Sequence, residues 1–131
     1  MDILLDTHTF IWAAFDSKKL PDHIKEIISN PENLIYVSIA SLWEIEIKHL
    51  KRPNQMPWGA SDFTKVLCLS DVNIMPLRYV HLFSLEKVVN QNIHNDPFDH
   101  LLLATAIDEQ MTFITKDSKN KEYKGAKVIS Y

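Results

Sequence analysis

Apolar residues along the chain gather into short continuous runs, and between these runs they recur at helical spacing. DILL (2–5) is such a run, closed by Asp6, and predicts a short buried strand. A helical stretch over about Thr9–Phe15 follows, then another after Pro21 with apolar positions at Ile24, Ile27 and Ile28. Leu34–Val37, β-branched and aromatic, predicts a second strand that flows through Ser38 into a helix from about Ile39 to Lys51. KRPNQMPWGA (51–60) contains Pro53, Pro57 and Gly59 and reads as a loop. The pattern then predicts a helix over Ser61–Leu69, an extended piece at Asn73–Met75 and a helix over Val80–Asn90. DPFDHLLLATAIDEQ begins the last long helix, and strands at Thr112–Thr115 and Lys127–Ser130 complete the chain. Short apolar strands alternating with helices imply an α/β fold whose central, mainly parallel sheet is covered on both faces. In such sheets the working crevice lies beyond the carboxyl ends of the strands.

Composition narrows this picture without changing it. The chain has 131 residues and no internal repeat, so residues 1–131 are expected to form one domain. Its 46% hydrophobic and 24% charged residues fit a globular protein, and two glycines argue against a loop-rich all-β design. Cys68 has no cysteine partner and lies in an apolar stretch, which fits a reducing compartment. MDILLD carries no basic region or long apolar segment, and no run approaches the roughly 20 residues of a membrane helix. The expected address is therefore the cytoplasm, without membrane attachment.

The net charge of −3 gives no global sign of a nucleic-acid partner, but the cations are unevenly spread. Lys48, His49, Lys51 and Arg52 form one basic cluster, and Lys116, Lys119, Lys121, Lys124 and Lys127 form another. Such clusters are commonly solvated faces; they also bind polyanions where metal ions mask nearby carboxylates.

The acids carry the stronger signal. Asp6 follows one predicted strand, Asp117 closely follows another, Glu44 lies on the helix after the second, and Asp96 and Asp99 begin the last long helix. All five are placed to meet at one sheet edge. Crowded carboxylates repel unless a cation neutralises them. Oxygen ligands without cysteine or paired histidines suit Mg²⁺, with Mn²⁺ as a substitute.

Each acid also has a purely structural reading. Asp6 and Asp117 suit turns, and Glu44 stands four residues before Lys48, the spacing of a surface ion pair. Helical phase turns Glu46, rather than Glu44, into the arc of Ile39, Leu42 and Leu50. Asp96 suits an N-cap with Pro97 at the first helical position, and Asp99 interacts favourably with the helix dipole. Yet Asp99 shares its stripe with Leu102, Leu103 and Ala106 on a helix that is apolar nearly all round. A carboxylate leading a buried stripe needs a partner or a metal, so Asp99 is the stronger candidate of that pair.

Other chemistries fit less well. No G-x-S-x-G nucleophile elbow is present, and His8, His94 and His100 lack zinc spacing. Trp12, Trp43 and Trp58 read as core residues, with Trp58, in a loop, the one to test for stacking on a base.

Four segments in order, LLDTHTFIW (4–12), SIASLWEIEIK (38–48), HNDPFDHLLLATA (94–106) and ITKD (114–117), resemble the successive signatures of PIN-domain ribonucleases. The resemblance is closest to the VapC-type toxins of bacterial toxin–antitoxin pairs and spans nearly the whole chain. It implies a three-layer α/β/α sandwich and Mg²⁺-dependent hydrolysis of RNA phosphodiester bonds. By position it implies Asp6, Glu44, Asp99 and Asp117 as the catalytic and metal-binding acids. Ala104 and Ala106 fall where the family has alanines after the third acid, and Asp96 matches a secondary acid of the DPFD subgroup. It further implies a cognate antitoxin that covers the site, and a homodimer or a hetero-oligomer with the antitoxin.

Asn95 and His100 stand where such proteins often carry arginine, and Glu46 where they carry a small residue. Thr7, Ser38 and Thr115 offer hydroxyls beside the acids. Two rival readings keep the fold. One is a PIN-fold metal-dependent nuclease in RNA processing or DNA cleavage without an antitoxin; the other is a non-catalytic PIN-like binding module.

Overall fold

The computed structural model describes residues 1–131. Five strands, β1 (Asp2–Leu5), β2 (Leu34–Ser38), β3 (Asn73–Met75), β4 (Thr112–Thr115) and β5 (Lys127–Ser130), form one sheet in the order β3-β2-β1-β4-β5. Every adjacent pair is parallel. The helices are α1 (Thr7–Phe15), α2 (Asp22–Ser29), α3 (Ile39–Lys51), α4 (Ala60–Cys68), α5 (Tyr79–Val89) and α6 (Pro97–Asp108). A short 3-10 turn at Ser118–Glu122 links β4 to β5.

Alternation along the strands divides the core between the two faces of the sheet. Ile3, Leu5, Ile35 and Val37 pack with Phe10 of α1, Ile24 of α2, Ile45 of α3 and Phe63 of α4. Leu4 and Phe113 pack with Val88 of α5 and with Leu102, Leu103 and Ala106 of α6. The result is the expected α/β/α sandwich. No helix is long and apolar enough to cross a membrane.

This strand order also decides where chemistry can sit. The chain winds outward from β1 to β2 and β3, then crosses back to place β4 and β5 on the other side of β1. The winding direction therefore reverses between β1 and β4, and their carboxyl ends open a crevice at that switch point.

Most predicted elements occur within a residue of the expected bounds. The main shift is α1, which begins two residues early because the Asp6 side chain caps it, its Oδ1 accepting from the Thr9 N–H at 2.7 Å. Ser38 caps α3 in the same way, accepting from the Ala40 N–H at 3.0 Å.

The tryptophans and the cysteine depart from expectation. Trp43 and Trp58 are not core residues, being 57% and 45% exposed. Trp43 packs edge-on against Phe98, while Trp58 stacks flat on Phe15 with centroids 4.7 Å apart, so one of its faces is already covered. Cys68, on the last turn of α4, is exposed despite its apolar neighbours. Gly59 is fixed by close approach: a Cβ there would lie 2.7 Å from Glu46 Oε1 and 2.9 Å from His49 Cδ2. The 52–59 loop is thereby held against α3.

Candidate active site

The carboxyl ends of β1 and β4, together with the first turns of α1 and α6, surround a cavity of about 420 Å³ that has no hydrophobic lining residue. Asp6, Glu44, Asp96, Asp99 and Asp117 all line it, along with Thr7, His8, Lys48 and Lys116. The sequence scatters these acids over more than a hundred positions, and parallel strands joined by helices return them to one edge.

Asp6 is the most firmly held. It is 5% exposed, and besides capping α1 its Oδ2 accepts from the Thr115 hydroxyl at 2.7 Å and the Lys116 N–H at 2.9 Å. Three donors offset the cost of burying this carboxylate and fix its plane. Glu44 is also buried. Its Oε1 accepts from the Thr7 hydroxyl at 2.7 Å, and its Oε2 receives the Lys48 ammonium at 2.8 Å. The helical-phase reading that favoured Glu46 fails because its reference arc is not the core: Ile39 is 42% and Leu50 74% exposed. The buried side of α3 carries Ala40, Ser41, Leu42, Glu44 and Ile45.

Asp96 and Asp117 are exposed caps. Asp96 Oδ1 accepts from the N–H groups of Phe98 and Asp99 at the start of α6. Asp117 Oδ1 accepts from the Lys119 N–H at the start of the 3-10 turn. Asp99, in the first turn of α6, is largely enclosed, with 18% of its side chain exposed. Burial pushes its carboxyl up to about 6, and the negative charges of Asp96 and Asp6 push the same way. A hydrogen bond from Asn120 and the nearby His94 oppose the rise.

Asn120 is the residue that sequence reasoning missed. It is fully buried, and its Nδ2 donates to Asp99 Oδ2 at 3.2 Å and to Thr115 Oγ1 at 3.1 Å. Its Oδ1 faces His94 Nε2 at 2.7 Å. Because His94 Nδ1 accepts from the Asp96 N–H, Nε2 carries the proton and donates to Asn120. One amide therefore joins Asp99 directly, and Asp6 through Thr115. Nothing local in TKDSKN signals this, since the burial arises only when the 3-10 turn folds back over β4. Lys48 was visible by its spacing from Glu44, whereas Lys116 became a cavity residue only through the strand order.

The donor set fits a hard divalent cation. Asp96, Asp99 and Asp117 each keep one carboxylate oxygen without a protein donor, and the surroundings supply no sulfur. Ligand atoms of His94, Asp99 and Asp117 lie within 4.8 Å of one another, although both His94 nitrogens are already engaged. A second trio, His81, Asp108 and Glu109, lies elsewhere. There His81 Nδ1 accepts from the Arg78 N–H and caps α5, while Nε2 donates to Glu109 at 2.8 Å and ties α5 to the end of α6, so both nitrogens are engaged.

A family model described as PIN domain matches residues 3–126. No curated protein matches the chain in sequence. Among solved structures, it is similar to VapBC2 from Rickettsia felis bound to a promoter DNA fragment, at 19% identity and a TM-score of 0.75 over 99% of this chain and 98% of that one. It is similar to VapBC-1 from nontypeable Haemophilus influenzae at 17% identity and 0.73, over 99% and 98%. It is also similar to Mycobacterium tuberculosis VapC20, a sarcin–ricin loop cleaving toxin, at 16% identity and 0.61, over 92% and 93%. At these identities the likeness is one of fold.

Proposed function

The chain belongs to the PIN-domain family, and from that premise we propose that it is a Mg²⁺-dependent endoribonuclease, the toxin of a cytoplasmic toxin–antitoxin pair. The observation that carries this reading is the convergence of five carboxylates and two lysines on one cavity at the sheet's switch point. The similar structures add direction, since they include a toxin–antitoxin complex from Klebsiella pneumoniae, a member of the VapBC family of toxin–antitoxin systems and a sarcin–ricin loop cleaving toxin.

Asp6, Glu44, Asp99 and Asp117 would hold the metal, directly or through water, with Asp96 at the mouth in a secondary role; Mn²⁺ suits the same oxygens. When bound, the metal supplies a more acidic water, polarised phosphoryl oxygens and charge neutralisation at the leaving oxygen. The chain's own groups do the rest. Thr115, Lys116 and Thr9 lock the Asp6 carboxylate through three hydrogen bonds, so it need not reorganise during the reaction. Thr7 and Lys48 hold Glu44 at both oxygens. The Lys116 ammonium, over the Trp12 ring at 4.9 Å, brings positive charge to a phosphate entering the cavity. The carboxylates repel a bare polyanion, so substrate entry depends on the metal and these lysines together.

The remaining partners follow from the same reading: a small antitoxin that covers the cavity, and a homodimer as the toxin's own assembly. Inducing this chain in a bacterium is expected to arrest growth and create new RNA 5′ ends, and co-expressing the neighbouring antitoxin gene is expected to reverse both. Unimpeded growth with an unchanged map of RNA ends contradicts the toxin reading.

A further inference from the structure

A second cavity, of about 460 Å³, adjoins the acidic one and shares two lining residues with it, His8 and Lys48. Its remaining walls are Ile47, Lys51, Arg52, Gln55 and Met56, from the end of α3 and the loop that follows. It contains no acidic residue. The sequence cluster at Lys48, Lys51 and Arg52 is therefore the lining of a groove that opens from the acidic site.

The cations of this groove are available to a ligand. Lys48 pairs with Glu44 at the junction, but neither Lys51 nor Arg52 makes an ion pair, and both are exposed. Basic residues near a helix C-terminus gain modestly from its dipole. That accounts for their tolerance there, not for their alignment along a cavity continuous with the carboxylates. Lys48 and Arg52 are four residues apart, about 6 Å along a helix axis, so the charges extend outward from the junction. The groove is also anchored. Met56 packs on the core, its carbonyl faces His49 Nδ1 at 2.8 Å, and Gly59 seats the loop against α3.

We propose that this groove is a track for the nucleic-acid backbone, seating phosphates that flank the one in the acidic cavity. The proposal rests on the RNA-hydrolase reading above and assigns Lys51 and Arg52 as its outer phosphate contacts. No Phe, Tyr or Trp lines the groove, and the one ring, His8, stands at its junction with the acidic cavity in a T-shaped contact with Trp12. The outer track therefore reads charge and spacing rather than base identity. An acidic protein segment would be drawn to the same charges. Continuity with the reaction cavity favours the substrate strand, because a chain with one phosphate among the acids must leave along some wall, and this wall is the basic one.

The test is fluorescence anisotropy with a labelled single-stranded RNA of mixed sequence and the full chain in Mg²⁺, in an Asp6→Asn background that prevents cutting. Adding Lys51→Glu and Arg52→Glu is expected to weaken binding on the order of tenfold or more at about 0.1 M salt. It should also make the slope of log affinity against log salt shallower by roughly 1.4, the share of two single-strand phosphate contacts. Lys65→Glu with Lys87→Glu, the same charge change on exposed positions of α4 and α5, should bind like the parent. A thermal melt of each variant confirms that the exposed substitutions leave the fold intact. Equal binding by both double variants overturns the track while leaving the hydrolase reading in place. If the groove variant binds RNA normally but no longer forms the antitoxin complex, the groove seats protein and the track is again wrong. If the parent binds no RNA at all, the hydrolase reading falls and the track falls with it.

Discussion

Asp99→Asn abolishes Mg²⁺-dependent RNA cleavage, by roughly a thousandfold or more, and in the same protein raises the melting temperature of the metal-free form. The two effects have one cause. Burial raises the Asp99 carboxyl from an ordinary 3.8 to about 6, so holding it ionised at neutral pH costs the folded state free energy. A shift of this size corresponds to about 3 kcal/mol as a ceiling, and with 18% of the side chain still in water about 1–3 kcal/mol is realistic. Asparagine keeps the shape without the charge, and the metal-free variant is expected to melt about 5 °C higher at pH 7.5.

The pH dependence has a definite sign. Asp99 binds its proton more tightly in the folded state, so its contribution to stability falls as pH rises from about 3.8 to about 6 and is flat above that. The advantage of Asp99→Asn should therefore be full above pH 6 and vanish toward pH 4, as followed by circular dichroism melts in EDTA. An Asp99→Asn protein that is less stable than its parent at pH 7.5 would show that the acid is held by a structural partner rather than kept for a ligand.

Asn120→Ala is expected to have the next largest effect, on both stability and chemistry. Removing this buried amide leaves the His94 Nε2–H without its acceptor and takes the Asn120 donor from Asp99 and Thr115. Three largely enclosed polar groups left short of a partner cost about 2 kcal/mol or more. Cleavage should fall on the order of 10–100-fold, because the Asp99 carboxylate loses the contact that sets its orientation. That hydrogen bond also holds the Asp99 carboxyl down against burial. Without it the carboxyl rises further, so the acid limb of the cleavage profile should move to higher pH, and more Mg²⁺ should be needed for half-maximal rate. A drop in stability with an unmoved pH profile would mean that Asn120 supports only the fold.

Apolar patterning reports which segments are buried, and only indirectly where their polar residues meet. Runs such as Asp2–Leu5 and Thr112–Thr115 are buried on both faces, so their continuity alone marks them as parallel strands. The acids at strand ends and at the start of α6 were readable for the same reason, since parallel topology sends every strand's carboxyl end to one edge. Helical phase alone did not select Glu44, because that reading took the apolar residues of α3 to face the core. Ile39, Trp43 and Leu50 instead present an apolar strip to the surface. The basic cluster after Lys48 was visible, but its alignment with the acidic cavity depends on how the 52–59 loop folds against α3. Asn120 was the hardest to foresee. A polar residue in a lysine-rich turn looks solvated until the turn closes over Thr115 and Asp99.

The central claim is that these acids form one metal-dependent hydrolytic site for RNA. Its most direct test is cleavage of structured RNAs by the purified chain, assayed in Mg²⁺, in EDTA, and in EDTA with Mg²⁺ restored. Asp6→Ala and Asp99→Ala proteins are run beside it. The site described here predicts discrete cuts in Mg²⁺, none in EDTA, recovery on adding the metal back, and none from either folded variant. Cleavage that persists in EDTA, or that survives in both variants, would contradict it.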